Sequence, residues 1–294
     1  MSIITKAVIL CGGRGTRFLP ITKSLPKEML PVIDTPVLGY IVEEAVNAGI
    51  TDILIVLGKG KEAIRDYFTR DFSLERALIE TGKPEYAEML YKIGNGVRIN
   101  FTVQESPLGS GHAVGLCESF TANEPFALVL GDDLIFSETP VIGQLAGAYG
   151  QCGTSIIGVQ TCLTDDITKY GVADVGAADT DMRLYPCRGI VEKPSLDKLP
   201  SRLAAMGRYV LTPDIYGAIR SIKPGQNGEL QLTDALTLLA RNEKMSVYDF
   251  VGKRYDMGDK FGAVLATIDY ASRDERFGKK FKAFLKEYVN DLAE

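Results

Sequence analysis

The chain has 294 residues, 46% hydrophobic and 24% charged, with a formal net charge of −5. Such a length and apolar share suffice for one large core or two modest ones, and the negative balance excludes the basic footprint of a nucleic-acid binder. An acidic protein that handles phosphates must gather its positive charge locally.

The first half alternates strand and helix signals. Lys6–Leu10 is a short apolar run ending at glycines, which reads as a buried first strand. Residues 36–48 predict a helix, because Val37/Leu38, Ile41/Val42 and Ala45/Val46 recur every four residues and Gly49 sits where helices stop. A strand over 53–57 and a helix over 60–68 follow. Residues 73–93 read as a polar helical excursion divided at Gly82 and Pro84. A strand over 97–103, a helix over 111–120 and a buried strand over 126–130 complete this half. Such alternation predicts an α/β fold, a Rossmann-like mixed but mostly parallel sheet flanked by helices on both faces.

The second half is less regular. Strands are expected over 155–159, in short pieces over 170–192 and over 206–212, with helices over 215–222, 232–242 and 261–272. A last helix over 275–292 carries Phe277, Phe281, Phe284, Leu285, Tyr288 and Leu292 on one stripe. The five cysteines are an odd number without C-x-x-C spacing, the pattern of reduced cytoplasmic thiols rather than of a disulfide framework or zinc site. The opening is too short in its apolar run for a signal peptide, and no apolar stretch approaches the roughly 20 residues of a membrane span. A cytoplasmic protein without membrane or nucleic-acid partners is expected.

Chemistry concentrates at four places. After the first strand, Gly12, Gly13 and Gly15 let backbone N–H groups approach a phosphate without Cβ interference. A dinucleotide-binding G-x-G-x-x-G begun at Gly13 would need glycine where Phe18 stands, and no Walker lysine follows, so a nicotinamide-dependent oxidoreductase is excluded. Arg17 and Lys27, the latter between Pro26 and Pro31, add two cations suited to a triphosphate. Asp132 and Asp133 end a buried strand, where ligands of open α/β sheets gather; neighbours on an extended chain face opposite ways, so one can reach a metal and the other a sugar hydroxyl. Magnesium needs few protein oxygens, since phosphates and water complete its octahedron, and Asp256 or Asp259 offers a second acid. Gln104, at the turn containing Gly109, has an amide able to meet donor and acceptor edges of a pyrimidine. His112, the only histidine, lies in a turn opening a helix, where a structural role is expected. Glu192 beside Lys193 sets a carboxylate next to a cation, a pair that by itself reads as a solvated strand end.

Gly12-Gly13-Arg14-Gly15-Thr16-Arg17, followed by Pro26-Lys27-Glu28-Met29-Leu30-Pro31, resembles the signature of the sugar-nucleotide pyrophosphorylases, in particular the bacterial uridylyltransferase branch. Tyr40-Ile41-Val42-Glu43-Glu44-Ala45 and the excursion between 70 and 95 are similar too, so the likeness spans about residues 5–275. It implies a single nucleotidyltransferase domain, 1–294, with a nucleotide half near 5–135, a sugar-side half near 136–260 and a helical tail over 261–294. The activity it implies joins UTP and glucose 1-phosphate into UDP-glucose and pyrophosphate, with Mg²⁺ as cofactor and a homodimer or homotetramer as assembly. Carried onto this chain, the family's pattern assigns Gly12, Gly13, Gly15, Glu28, Gln104 and Gly109 to the nucleotide. It assigns Asp133, Gly171 and Glu192 to the sugar, Asp132 and Asp256 to the metal, and Arg17, Lys27 and Lys193 to catalysis. The nucleophile is an already ionised phosphate, so no general base is needed, which agrees with a chain lacking any Ser/His/Asp or Cys/His arrangement. Leu10-Cys11-Gly12-Gly13 resembles the thymidylyl branch, so thymidylyl or cytidylyl transfer stands as an alternative, as does a non-catalytic nucleotide-sugar-binding paralogue.

Overall fold

A computed structural model of the chain describes residues 4–176, 183–225, 228–242 and 244–292. In chain order, β1 (Lys6–Cys11) is followed by the two-residue strands β2 (Pro31–Val32) and β3 (Thr35–Pro36), then α1 (Val37–Asn47), β4 (Asp52–Gly58) and α2 (Glu62–Phe68). The polar excursion is a pair of helices, α3 (Phe72–Glu80) and α4 (Pro84–Lys92), divided at Gly82 as expected. Next come β5 (Arg98–Gln104), α5 (Ser110–Gly115), α6 (Glu118–Thr121), β6 (Phe126–Leu130) and β7 (Asp133–Phe136). The second half contributes α7 (Val141–Cys152), β8 (Ser155–Thr161), β9 (Gly171–Val175), β10 (Leu184–Glu192), β11 (Leu203–Leu211), α8 (Asp214–Ser221) and α9 (Leu232–Arg241). It closes with β12 (Met245–Asp249), β13 (Lys253–Asp256), α10 (Lys260–Arg273) and α11 (Gly278–Asp291). Parts of two expectations, the strands over 170–192 at residues 177–182 and the tail at 293–294, lie outside the described residues.

One nine-stranded sheet runs through both halves in the order β5-β4-β1-β6-β11-β8-β12-β10-β9. The pairs β5/β4, β4/β1, β1/β6 and β8/β12 are parallel, whereas β6/β11, β11/β8, β12/β10 and β10/β9 are antiparallel. The expectation of a mostly parallel sheet therefore holds only for the strands of the first half of the chain, β5, β4, β1 and β6. The cause is that an apolar run records burial on two faces but not strand direction. The helix predicted over 111–120 is also interrupted, with α5 ending at Gly115.

Strand periodicity divides the core between the two faces. Ala7, Ile9 and Cys11 of β1, with Ile53, Ile55 and Leu57 of β4, pack on the face covered by α1 and α7. Val8, Leu54 and Val56 point the other way, toward α8 and α9. Helix α1 is clamped to β11 by an ion pair: the fully buried Arg208 donates from Nη2 and Nε to Glu44 Oε2 at 2.7 and 3.1 Å.

Cys11, Cys117 and Cys187 are buried, and burial pushes Cys117 up to about 12, Cys187 up to about 11 and Cys11 well above its ordinary value. The thiolate is the reactive form. Only Cys152 and Cys162 are therefore expected to react rapidly with a thiol reagent in the native protein, with the other three released by denaturation. Titration of five thiols at equal speed in the native state would contradict this burial.

Candidate functional site

The site lies where β1, β5 and β6 end and where β7 pairs with β13. β1 delivers the glycine loop. A Cβ at Gly12 would sit 3.3 Å from Gln104 Oε1, and one at Gly13 would sit 3.2 Å from Lys27 Nζ, so the bare backbone leaves room for both side chains. Gly15 has a left-handed φ of 66°, which glycine adopts without steric cost. Beneath the loop, Glu28 is buried and both its oxygens accept from Lys61 Nζ, at 2.7 and 2.8 Å. The pair fixes Glu28 in the floor of the site, under the loop expected to meet the nucleotide. Lys61 does not stand out in the sequence, because its partner is 33 residues away.

The antiparallel register of β7 and β13 sets Asp256 opposite Asp133, and the Met257 amide donates to the Asp132 carbonyl at 3.1 Å. Asp132 and Asp256 then converge on Gly258. The position its Cβ would take is 3.0 Å from Asp256 Oδ1, 3.2 Å from Asp132 Oδ2 and 3.3 Å from Arg17 Nη1. Arg17 is held there by donating to the Gly258 carbonyl at 3.0 Å. Lys27 pairs directly with Asp132. Burial works to raise the pKa of Asp132, but Lys27 overrides it and holds the carboxyl below its usual range. Asp256 is oriented from two sides, by the Gly258 amide on Oδ1 at 2.9 Å and by the Tyr170 hydroxyl on Oδ2 at 3.2 Å.

Asp133, the expected sugar contact, is tied to an arginine. It borders the cavity, yet it is buried, and its Oδ1 accepts from Arg254 Nε at 2.6 Å. Burial raises its pKa against the opposing charge of Arg254. Through Oδ1, Asp133 anchors Arg254, whose guanidinium stacks 4.6 Å over the Tyr170 ring.

A cavity of about 240 Å³ is lined by Arg17, Asp132, Asp256, Gly171, Glu192 and Lys193. Gly171 faces Glu192 across the β9/β10 ladder, and a Cβ on it would lie 3.3 Å from Glu192 Oε2. Lys193 follows β10 in a left-handed backbone conformation with φ 45°, its amide donating to the Tyr170 carbonyl at 3.1 Å and its Nζ 3.6 Å from Glu192.

The turn after β5 is stitched to the segment preceding α9. Gly111 N donates to the Leu230 carbonyl and Leu230 N to the Leu108 carbonyl, both at 2.8 Å, while Leu232 N donates to Ser110 Oγ at 3.1 Å. Gly109 has φ 97°, and a Cβ there would meet the Leu230 carbonyl oxygen and lie 2.9 Å from Leu230 N. Gly109→Ala is therefore expected to cost about 1–3 kcal/mol from its backbone conformation alone, further increased by this clash. Thermal unfolding of the variant checks it; an unchanged Tm would mean the turn can rearrange.

Among the described residues, no group of three or more His, Cys, Asp and Glu side chains is arranged to hold a metal. The Asp132/Asp256 pair still suits a hard divalent cation that takes most of its oxygens from phosphates and water. The site thus joins a backbone cradle, two convergent carboxylates and three cations, the equipment for moving a phosphoryl-linked group between two anions. The family model Nucleotidyl transferase matches residues 6–270, and the chain belongs to that family.

Within it, the chain is 45% identical over 287 residues to the UTP–glucose-1-phosphate uridylyltransferase of Staphylococcus epidermidis, covering 98% of this chain and 99% of that one. It also superposes on UTP-bound UGPase from Acinetobacter baumannii with a TM-score of 0.89 and 34% identity, covering 97% and 99% of the two chains. A UDP-glucose pyrophosphorylase complexed with UDP-glucose gives a TM-score of 0.83 and 37% identity, covering 92% of this chain and all of that one.

Proposed function

We propose that this chain transfers a uridylyl group from UTP to glucose 1-phosphate, releasing UDP-glucose and pyrophosphate. The observation that carries the reading is the convergence of Asp132, Asp256, Arg17 and Lys193 around one cavity beside the glycine loop and Lys27. It is supported by curated relatives of that name along nearly the whole chain.

In the proposed reaction an ionised oxygen of glucose 1-phosphate attacks the α-phosphorus in line and pyrophosphate departs. Two polyanions must meet, so positioning and charge neutralisation supply the catalysis. Lys193 holds the attacking phosphate, and Glu192 and the backbone at Gly171 seat the sugar hydroxyls. Arg17 and Lys27 neutralise the departing pyrophosphate, with Gly12, Gly13 and Gly15 along the triphosphate and Gln104 and Gly109 at the base. Asp132 and Asp256 are the residues that would hold Mg²⁺, which when bound offsets charge on the phosphate oxygens. The decisive experiment measures pyrophosphate release from four nucleoside triphosphates against several sugar 1-phosphates, with Mg²⁺ and with chelator. UTP with glucose 1-phosphate and Mg²⁺ is expected to dominate; preference for dTTP, or binding without turnover, would overturn the assignment.

The division into a nucleotide half over 5–135, a sugar-side half over 136–260 and a tail over 261–294 belongs to the same reading, the shared sheet supporting one domain. A homodimer or homotetramer is proposed too. Its support is the apolar surface on the last two helices, where Phe261, Val264 and Leu265 of α10 and Phe284, Tyr288 and Val289 of α11 are exposed. Among the described residues no helix is long and apolar enough to cross a membrane, and a cytoplasmic location is proposed from the five free thiols. Light scattering of the purified protein tests the assembly, and a monomer at micromolar concentration would exclude it.

A further inference from the structure

Gln104 ends β5 with 8% of its surface exposed, and its amide is fully committed on one side. Nε2 lies 3.0 Å from the carbonyl oxygen of Gly109 and 3.0 Å from Nδ1 of His112. A carbonyl oxygen only accepts, so the amide atom facing Gly109 must be the nitrogen. The second amide hydrogen then points at His112, whose Nδ1 must be the unprotonated, accepting ring nitrogen, with the proton on Nε2. Both N–H groups of Gln104 are thereby used. What remains is Oε1, turned toward the glycine loop, 3.3 Å from the position a Cβ would take on Gly12.

This refines the expectation that Gln104 offers both a donor and an acceptor. The locked amide presents an acceptor alone. Uracil and thymine carry an N3–H donor between two carbonyls, whereas cytosine carries a lone pair at N3. An acceptor fixed opposite N3 forms a hydrogen bond with the first two and sets lone pair against lone pair with the third.

We infer that His112 is a positioning residue that selects the nucleobase, holding the Gln104 amide so that its carbonyl faces the base and cytosine is rejected. The inference rests on the proposed nucleotidyl transfer with Gln104 at the base. It gives the chain's single histidine a role in specificity without contact with substrate.

The test compares kcat/KM for UTP with that for CTP in wild type, His112→Leu, His112→Asn, His112→Gln and Gln104→Leu. His112→Leu removes the second anchor, and its UTP-over-CTP ratio is expected to fall about tenfold, the equivalent of one hydrogen bond. Asparagine places an acceptor near the Nδ1 position and is expected to restore most of the ratio; glutamine reaches the Nε2 position instead and is expected not to. The comparison of the two polar variants serves even if leucine impairs folding. An unchanged ratio in both His112→Leu and His112→Gln, while Gln104→Leu lowers it, sinks the role of His112 and leaves base reading by Gln104 standing. An unchanged ratio in Gln104→Leu as well sinks the base reading itself. Because the chain holds one histidine, a long-range ¹H–¹⁵N spectrum of the imidazole reads its tautomer without assignment. Protonation at Nε2 is expected, and a neutral ring protonated at Nδ1 would overturn the proposal irrespective of any rate.

Discussion

Asp132→Ala is expected to fold and to lose about 10²–10³-fold in turnover, the scale of removing one preorganised charged or donor group from an active site. Folding should survive because the link to Met257 uses the Asp132 backbone carbonyl, which alanine keeps, and because the side chain borders a cavity instead of filling the core. Activity should not survive, for two reasons. One of two convergent carboxylates is gone, and Lys27 loses the partner that fixes it beside the glycine loop. The check is pyrophosphate release across a Mg²⁺ titration, alongside circular dichroism of the variant. Near-normal turnover at saturating Mg²⁺ would remove Asp132 from the site.

The second large effect lies away from the chemistry. Arg208→Met is expected to destabilise the protein by about 3–5 kcal/mol, because it leaves the Glu44 carboxylate largely buried and without its partner. The companion change Glu44→Leu, made in the same chain, should recover most of that loss. Replacing a whole buried ion pair by apolar groups is often neutral, and here it also removes Arg208 Nη1, a buried nitrogen without a hydrogen-bond partner among the described residues. Denaturant unfolding of both single variants and the double variant measures the coupling. Simple additivity of the two losses would show that the pair contributes nothing as a pair.

Local signals are legible where burial and chain direction coincide. β6 occupies the predicted 126–130, and the α3/α4 excursion breaks at the predicted glycine, because each is set by neighbours in sequence. Helix α7 escapes the sequence reading although Val141, Ile142, Leu145 and Ala146 form a buried stripe; Gly143, Gly147 and Gly150 dilute its helical signal. β13 escapes it because it is short and buries only Tyr255 among otherwise charged residues, too little for an alternating pattern to register.

Among the site residues, the sequence points to acids after a buried strand, and the structure brings Asp132 and Asp256 together. It does not reveal the ion-pair partners of Glu28 and Asp133, because Lys61 and Arg254 lie 33 and 121 residues away. Direction within the sheet is hidden for the same reason, since pairing partners are a property of the folded chain.

The three hydrogen bonds between residues 108–111 and 230–232 join two parts of the protein to which the proposed reaction assigns different cargoes. Gly109 belongs to the turn beside Gln104, while Thr233, just past the same tether, borders the cavity of Glu192 and Lys193. Neither wall can shift far without dragging the other or breaking those bonds. Where an occupant of one berth does shift this tether, whatever free energy it adds to or takes from the other berth must be returned in equal measure, whichever cargo docks first.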